Sequence, residues 1–217
     1  MRNQIIQQII TALGLRNTFF LRELDIQIYL TNYFKNLKVN NNLFYDNVFV
    51  EYHIPSNLIP NYPWGENIYI DIVLEKNGLY YPIEIKFKTQ RQQLPLLVFG
   101  NNINVTLEYH GAKNIGCYDF WKDVKRTELF EQTFNNVKRG IVLFVSNDIT
   151  YQIVPGNANV GYAQFSIHQG RVIPINSALN WNGNLAVSNG RPSITTNYAY
   201  AINWSPLVLL NHHYILT

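Results

Sequence analysis

The chain has 217 residues, 47% of them hydrophobic and only 14% charged, enough apolar material for one domain with a substantial core. A net charge of +3 and an isoelectric point near 8.9 are mildly basic, which suits a polyanionic partner without requiring one. The single cysteine, Cys117, excludes an intramolecular disulfide and a cysteine-built zinc site. No apolar run reaches the length of a membrane span and Met1-Arg-Asn-Gln leads into no signal-like core, so a cytoplasmic protein with no membrane partner is expected.

Ile5, Ile6, Ile9, Ile10 and Leu13 recur at helical spacing and predict a helix over residues 3–15, ending near Gly14. A second helix is predicted from Thr18 to Leu37, with Leu24, Ile28, Leu30, Phe34 and Leu37 as its apolar positions. Phe44–Pro55 reads as a strand in which Val48, Val50, Tyr52 and Ile54 alternate with Phe49, Glu51 and His53. Residues 55–66 carry Pro55, Pro60, Pro63 and Gly65 and read as a loop.

Two strands follow, Ile68–Leu74 and Tyr80–Lys88, around a Lys76-Asn77-Gly78 turn whose Asn-Gly pair is a strong hairpin signal. Side chains two apart share a strand face. Asp71 therefore falls with Tyr69 and Val73, opposite an apolar stripe of Ile68, Ile70, Ile72 and Leu74. Glu84 and Lys86 fall with Tyr80, Pro82 and Lys88, while Tyr81, Ile83, Ile85 and Phe87 face the core. Residues 90–118 give no clear pattern beyond a short buried piece at Leu96–Phe99. A helix is expected from Tyr118 to Phe134 and a buried strand from Val137 to Ser146. Beyond Tyr151 the text turns Gly/Asn/Ser-rich, with short aromatic strands at Ala163–His168 and Tyr198–Trp204. The expected class is α/β: a mixed central sheet flanked by helices, in one domain. Its parts are an N-terminal helix (1–17), a core (18–150) and a β-rich C-terminal extension (151–217).

The chemistry concentrates where the two hairpin strands bring Asp71 toward Glu84 and Lys86. Mg²⁺ is a hard cation that keeps several waters, so two carboxylates and a substrate phosphate suffice to hold it. An adjacent lysine can steer an attacking water and stabilise developing charge. The bland alternative is a wet hairpin face on which Glu and Lys pair across strands.

Asp71 followed by Glu84-x-Lys86, within Ile70-Asp-Ile-Val and Tyr81-Pro-Ile-Glu-Ile-Lys-Phe-Lys-Thr89, resembles the signature of the PD-(D/E)xK nuclease superfamily, the restriction-endonuclease-like fold. Ile70 stands where the name-giving proline would be. The motif spans about a tenth of the chain, and the order of elements extends the resemblance over roughly residues 20–150. The resemblance implies a Mg²⁺- or Mn²⁺-dependent nuclease in which Asp71 and Glu84 bind metal, with the Ile85 carbonyl as a further ligand. It gives Lys86 the attacking water and makes Glu23, on the second helix, a supporting catalytic residue. DNA is the expected substrate, with RNA open. The partner is either a second copy or a separate helicase or recognition protein, and restriction, defence or repair is the setting. The alternative is a catalytically silent nucleic-acid-binding or protein-interaction module on the same fold.

Other polar residues have two readings each. Gln27 shares a helix face with Glu23, and either can be ordinary solvated polarity. Glu51 can be a further ligand or a wet-face residue, and His53 reads as a half-buried polar residue. Asp119 suits the first turn of its helix, and Asp123 suits pairing with a nearby lysine or arginine. Lys88, Arg91, Lys122, Lys125 and Arg126 are phosphate-contact candidates within a wider set that includes Lys113, Lys138 and Arg139, interleaved with Tyr80, Tyr109 and Tyr118. Solubilising charge is the simpler account of each. His212-His213 reads as surface. No phosphate-binding G-x-x-x-x-G-K-[ST] loop, G-x-S-x-G elbow, H-E-x-x-H or G-x-G-x-x-G is present.

Overall fold

A computed structural model describes residues 1–16, 19–65, 67–183, 186–207 and 212–217. Its main elements are helices α1 (Arg2–Leu15), α2 (Glu23–Asn36) and α3 (Lys113–Thr133). Eight of the fourteen strands among the described residues build the main sheet and a separate ribbon. They are β1 (Asn47–Ile54), β2 (Ile68–Lys76), β3 (Leu79–Lys88), β4 (Gln92–Val98), β5 (Asn101–Leu107), β6 (Ile141–Ser146), β7 (Ser205–Pro206) and β8 (His213–Leu216). Six form one mixed sheet in the order β7-β8-β6-β3-β2-β1. Only the β3–β6 pair is parallel. The protein is thus mixed α/β with a central sheet between helices, and no described helix is long and apolar enough to cross a membrane.

One face of the sheet packs on α1 and α2: Ile5, Ile9, Ile26, Leu30 and Phe34 bury against Ile72, Ile83, Ile85, Leu143 and Val145. The other face packs on α3, where Phe120, Trp121 and Val124 meet Val142 and Phe144. Each fully buried large aliphatic or aromatic side chain contributes about 1.5–3 kcal/mol, so these two layers dominate the fold. At Gly140, just before β6, an added Cβ would lie 2.6 Å from Thr127 and 2.8 Å from the Pro82 carbonyl. Glycine is what lets α3 approach the sheet there.

Several expectations are corrected. α2 starts at Glu23, where extended Arg22 breaks the helix and Asp25 accepts from the Leu21 amide at 2.9 Å; the expected start, Thr18, lies outside the described residues. Leu24 and Ile28 are exposed, because the buried face of α2 runs through Ile26, Gln27, Leu30, Thr31 and Phe34. Lys38–Val39 and Asn42–Leu43 form a minimal hairpin, and the strand expected from Phe44 begins at Asn47. Leu97 and Phe99, expected as buried, are exposed. α3 begins at Lys113, ahead of the expected Tyr118, so Asp119 is not in its first turn.

Val137 makes only an isolated bridge to Tyr80, and β6 proper begins at Ile141. Residues 151–207 are less β-rich than expected. Ala163–Phe165 is a 3-10 turn, and pairing among the described residues there is limited to two-residue bridges and β7. The apolar side chains of this stretch instead cover α3, with Phe165, Ile167, Ile173, Leu179, Ile194 and Ile202 in the same core. His212 is not at the surface: it is buried and stacked on Phe87, with ring centroids 5.7 Å apart.

Candidate active site

The Asn77-Gly78 turn closes the β2–β3 hairpin with φ +53° and +71°, the two positive values that a type I′ turn demands. From it the ladder runs up to Ile72 opposite Ile83 and then stops. Beyond that pair the strands part. β2 continues beside β1 to Ile68, and β3 continues beside β6 from Ile83 to Lys88. Asp71 is the first residue of one branch; Glu84 and Lys86 lie on the other. The sequence motif is therefore set at a fork in the sheet, with α2 on one side and α3 on the other.

The fork has a local cause. Glu51 of β1 has φ +49°, a left-handed conformation that a non-glycine residue rarely adopts in a strand. Val50 pairs with Ile72 and Tyr52 with Ile70, while Glu51 and Asp71 between them leave the ladder. The alternation turns over at this point. Ile72 and Leu74 belong to the α1/α2 core, but Ile68 and Ile70 join Val73 and Phe130 on the other side. The single apolar stripe expected along β2 is thus split at Asp71. Gln27 of α2 bridges the irregularity: its amide nitrogen donates to Glu51 Oε1 at 2.5 Å and to the Asp71 carbonyl at 2.9 Å. A backbone oxygen released from the ladder is thereby satisfied.

Around the fork the polar groups interlock. Asp71 Oδ2 accepts from the Ile85 amide at 2.6 Å, and Glu23 Oε2 accepts from the Phe87 amide at 3.0 Å. Lys86 Nζ donates to the Ile85 carbonyl at 3.2 Å and lies 3.1 Å from Asp123 Oδ2 and 3.8 Å from Glu23 Oε1. Arg126 Nη2 donates to Glu84 Oε1 at 2.5 Å and lies 3.2 Å from Asp123 Oδ1. Glu84 is 1% exposed.

Glu23, Glu51, Asp71, Glu84 and Asp123 thus face only two cations, Lys86 and Arg126, among the described residues. The excess of negative charge shows in the titration of the site. Burial, then the neighbouring Glu84, pushes Asp71 up to about 8. Burial also pushes Glu84 up to about 7, against the pull of Arg126 and with the repulsion of Asp123. Burial alone would lower Lys86, but Asp123, Glu23, Glu84 and Asp71 together raise it above its ordinary value. Lys86 and Arg126 are therefore fixed cations, and Asp71 and Glu84 hold protons up to higher pH than ordinary carboxyls unless another cation joins them.

The donor set fits a hard divalent ion. Among the described residues, the second oxygens of Asp71 and Glu84 take no hydrogen bond. No three His, Cys, Asp or Glu side chains of the described residues converge into a cage. Two carboxylates that each keep an unbonded oxygen suit an ion that retains waters and takes substrate oxygens. The Ile85 carbonyl, expected as a ligand, accepts from Lys86.

The phosphate candidates separate. Arg126 is buried in its pairs with Glu84 and Asp123, so it is not a surface contact. Lys125 is spent on Asn197 Oδ1 at 2.9 Å and on Glu128 at 3.5 Å. The Lys122 ammonium lies 5.8 Å above the Trp64 ring. Lys88 is half-buried near Asp119, whose carboxyl is raised by burial and Asp123 against Lys88 and Lys86. Arg91 is exposed beyond the end of β3. Lys113 donates to the Thr150 carbonyl and Arg139 stacks on Tyr198 and Tyr200, so both serve the fold. His53, expected as half-buried, is exposed and stacks on Tyr69 with ring centroids 4.9 Å apart. Asp123 does pair with both a lysine and an arginine as expected, but these belong to the site itself. The signal for Arg126 was Glu84, an acid set between Ile83 and Ile85 of a buried strand segment, which needs a buried counter-ion.

Compared with protein-family models, curated proteins and solved structures, the chain matches none.

Proposed function

We propose that the chain is a Mg²⁺- or Mn²⁺-dependent nuclease of the PD-(D/E)xK type, with a restriction-endonuclease-like core, that hydrolyses phosphodiester bonds in DNA. The observation that carries this reading is Asp71 on one branch of a sheet fork facing Glu84 and Lys86 on the other. Asp71 and Glu84, with the Ile85 carbonyl, would hold the ion, which when bound supplies positive charge at the scissile phosphate and a more acidic water.

The remaining work falls to this chain's own groups. Asp123 and Glu23 hold the Lys86 ammonium between them, so its charge is fixed in place before substrate arrives. From there Lys86 orients the attacking water and meets charge developing on phosphorus. Glu23 ties α2 to the Phe87 amide and so fixes the β3 branch. Gln27 does the same for the β2 branch. Arg126 leaves one Glu84 oxygen for the ion while balancing the charge behind it.

The test is incubation of the purified chain with plasmid and with single-stranded DNA in Mg²⁺ or Mn²⁺. Wild type is expected to cut, and Asp71→Ala and Lys86→Ala to lose about 10²–10³-fold in rate. Equal cutting by both variants would reject the assignment.

One observation favours the silent-module alternative: Glu84 is buried and already bonded to Arg126. That reading predicts that divalent metal leaves the protein unchanged.

A further inference from the structure

A cavity of ≈ 250 Å³ forms where the loop before β2, the first half of α3 and the C-terminal stretch meet, and its lining includes Trp64, Tyr118, Asp119, Lys122, Asn189 and Arg191. It sits one turn of α3 from the fork. Asp119 and Asp123 are four residues apart, about 6 Å along the helix axis, and Asp123 is the residue that holds Lys86 at 3.1 Å. The Trp64 ring is set in advance: its indole nitrogen donates to the Tyr118 hydroxyl at 2.9 Å, which donates in turn to the Pro192 carbonyl at 3.0 Å. Tyr62 adds a T-shaped contact with centroids 5.3 Å apart. The Lys122 ammonium lies 5.8 Å from the Trp64 centroid, and Arg191 is anchored by donating to the Val187 carbonyl at 3.0 Å. Among the described residues the lining thus carries an indole, two cations and one acid, Asp119, which has Lys88, Lys86 and Lys122 among its charged neighbours. At the fork the balance is the reverse, with carboxylates outnumbering cations.

Cations set beside a ring face select an anion that itself carries a flat ring, and a nucleotide is such a ligand. A bare phosphate or an acidic peptide would use the cations and leave the indole idle. A base inside a duplex has both faces covered by its neighbours, so only an unpaired base can lie on a protein ring. We propose that this cavity receives one unpaired nucleotide of a single-stranded polynucleotide, its base on Trp64 and its phosphate between Lys122 and Arg191. The Lys122 ammonium, resting near the ring beforehand, passes to the phosphate as the base takes its place. The Asn189 amide supplies a donor and an acceptor to the base edge. About 6 Å along α3 is the scale of one nucleotide step, so the neighbouring phosphate falls at Lys86. The inference deepens the nuclease reading of the fork and rests on it: the substrate is unpaired next to the bond that is cut.

The test is fluorescence anisotropy of a short labelled single-stranded DNA, and of the same sequence as a blunt duplex, titrated with the full chain in EDTA so that no metal-dependent cutting intervenes. The single strand should bind about tenfold or more tighter than the duplex. Trp64→Leu should weaken single-strand binding about 5- to 100-fold, the loss of one stacked base, while Trp64→Phe keeps a ring and should retain most of the affinity. The double variant K122Q/R191Q should lower the slope of log affinity against log salt by about 0.7, one phosphate contact on a single strand. Lys38→Gln, at an exposed lysine outside the cavity, should leave that slope unchanged. Equal affinity for duplex and single strand overturns the proposal, as does a Trp64→Leu protein that melts and binds like wild type. Should Trp64→Leu fail to fold, an unchanged salt slope in K122Q/R191Q overturns it instead. The two readings fail separately. A chain that binds single strands through Trp64 in EDTA but cuts nothing with Mn²⁺ loses the fork assignment and keeps the cavity. One that cuts both forms alike, unimpaired by Trp64→Leu, keeps the fork and loses the cavity.

Discussion

Two sets of buried carboxylates line α3, and they are built differently. Toward the C-terminal stretch, Glu128 is fully buried and saturated: its oxygens accept from the Asn197 amide at 3.0 Å and from the Tyr200 hydroxyl at 2.7 Å, with Lys125 at 3.5 Å. Toward the sheet fork, Asp71, Glu84 and Asp123 share two cations, and the first two are held well above the ordinary carboxylate range. One set is a closed account of donors and acceptors that ties Asn197 and Tyr200 to α3. The other is left short of positive charge, and only there do carboxylate oxygens remain open. Burial of an acid therefore does not mark a site; incomplete compensation does.

Substitutions should break this contrast in graded steps. Arg126→Met leaves Glu84 buried without its partner and should destabilise the fold by about 3–5 kcal/mol, read from urea unfolding. Adding Glu84→Gln should recover much of that loss; an R126M/E84Q protein no more stable than R126M would show that the pair is not the cause. Glu128→Ala removes a hydrogen-bonded charge and should cost about 1.5–3 kcal/mol. Unlike the fork variants, it should leave metal-dependent behaviour intact.

The same contrast sets a pH trend. Asp71 and Glu84 titrate higher in the folded chain than in the unfolded one, so the folded state binds more protons between about pH 4 and 8. Metal-free stability should therefore fall as pH rises through that window. Thermal melts should show the fall in wild type, a flatter profile in Asp71→Asn, and a flatter profile in wild type with Mn²⁺. A melt that rises from pH 5 to 8 without metal would contradict the charge excess at the fork.

Much of this was legible in the sequence, and the misses have physical reasons. Strand alternation and the Asn-Gly turn are local signals, and they placed Asp71 near Glu84 and Lys86 before any coordinates. The fork itself was not legible. It depends on the positive φ of Glu51, a residue type that does not advertise that conformation, and on Gln27 arriving from another element. Arg126 read as a surface cation because its helix is charged on several sides, and only tertiary packing decides which charge is buried. The β4–β5 ribbon was unread since Gly100 and the exposed Leu97 and Phe99 break the usual link between apolar runs and burial. His212 was misplaced for a similar reason: its partner Phe87 is far away in sequence.

The central claim is that the fork is built around a missing positive charge. Calorimetric titration of Mn²⁺ into the wild-type chain at pH 7, in two buffers of different ionisation enthalpy, addresses it most directly. The account predicts binding accompanied by proton release, lost in both Asp71→Asn and Glu84→Gln and retained in Glu128→Gln. No binding, or binding unchanged by the two fork substitutions, would contradict it.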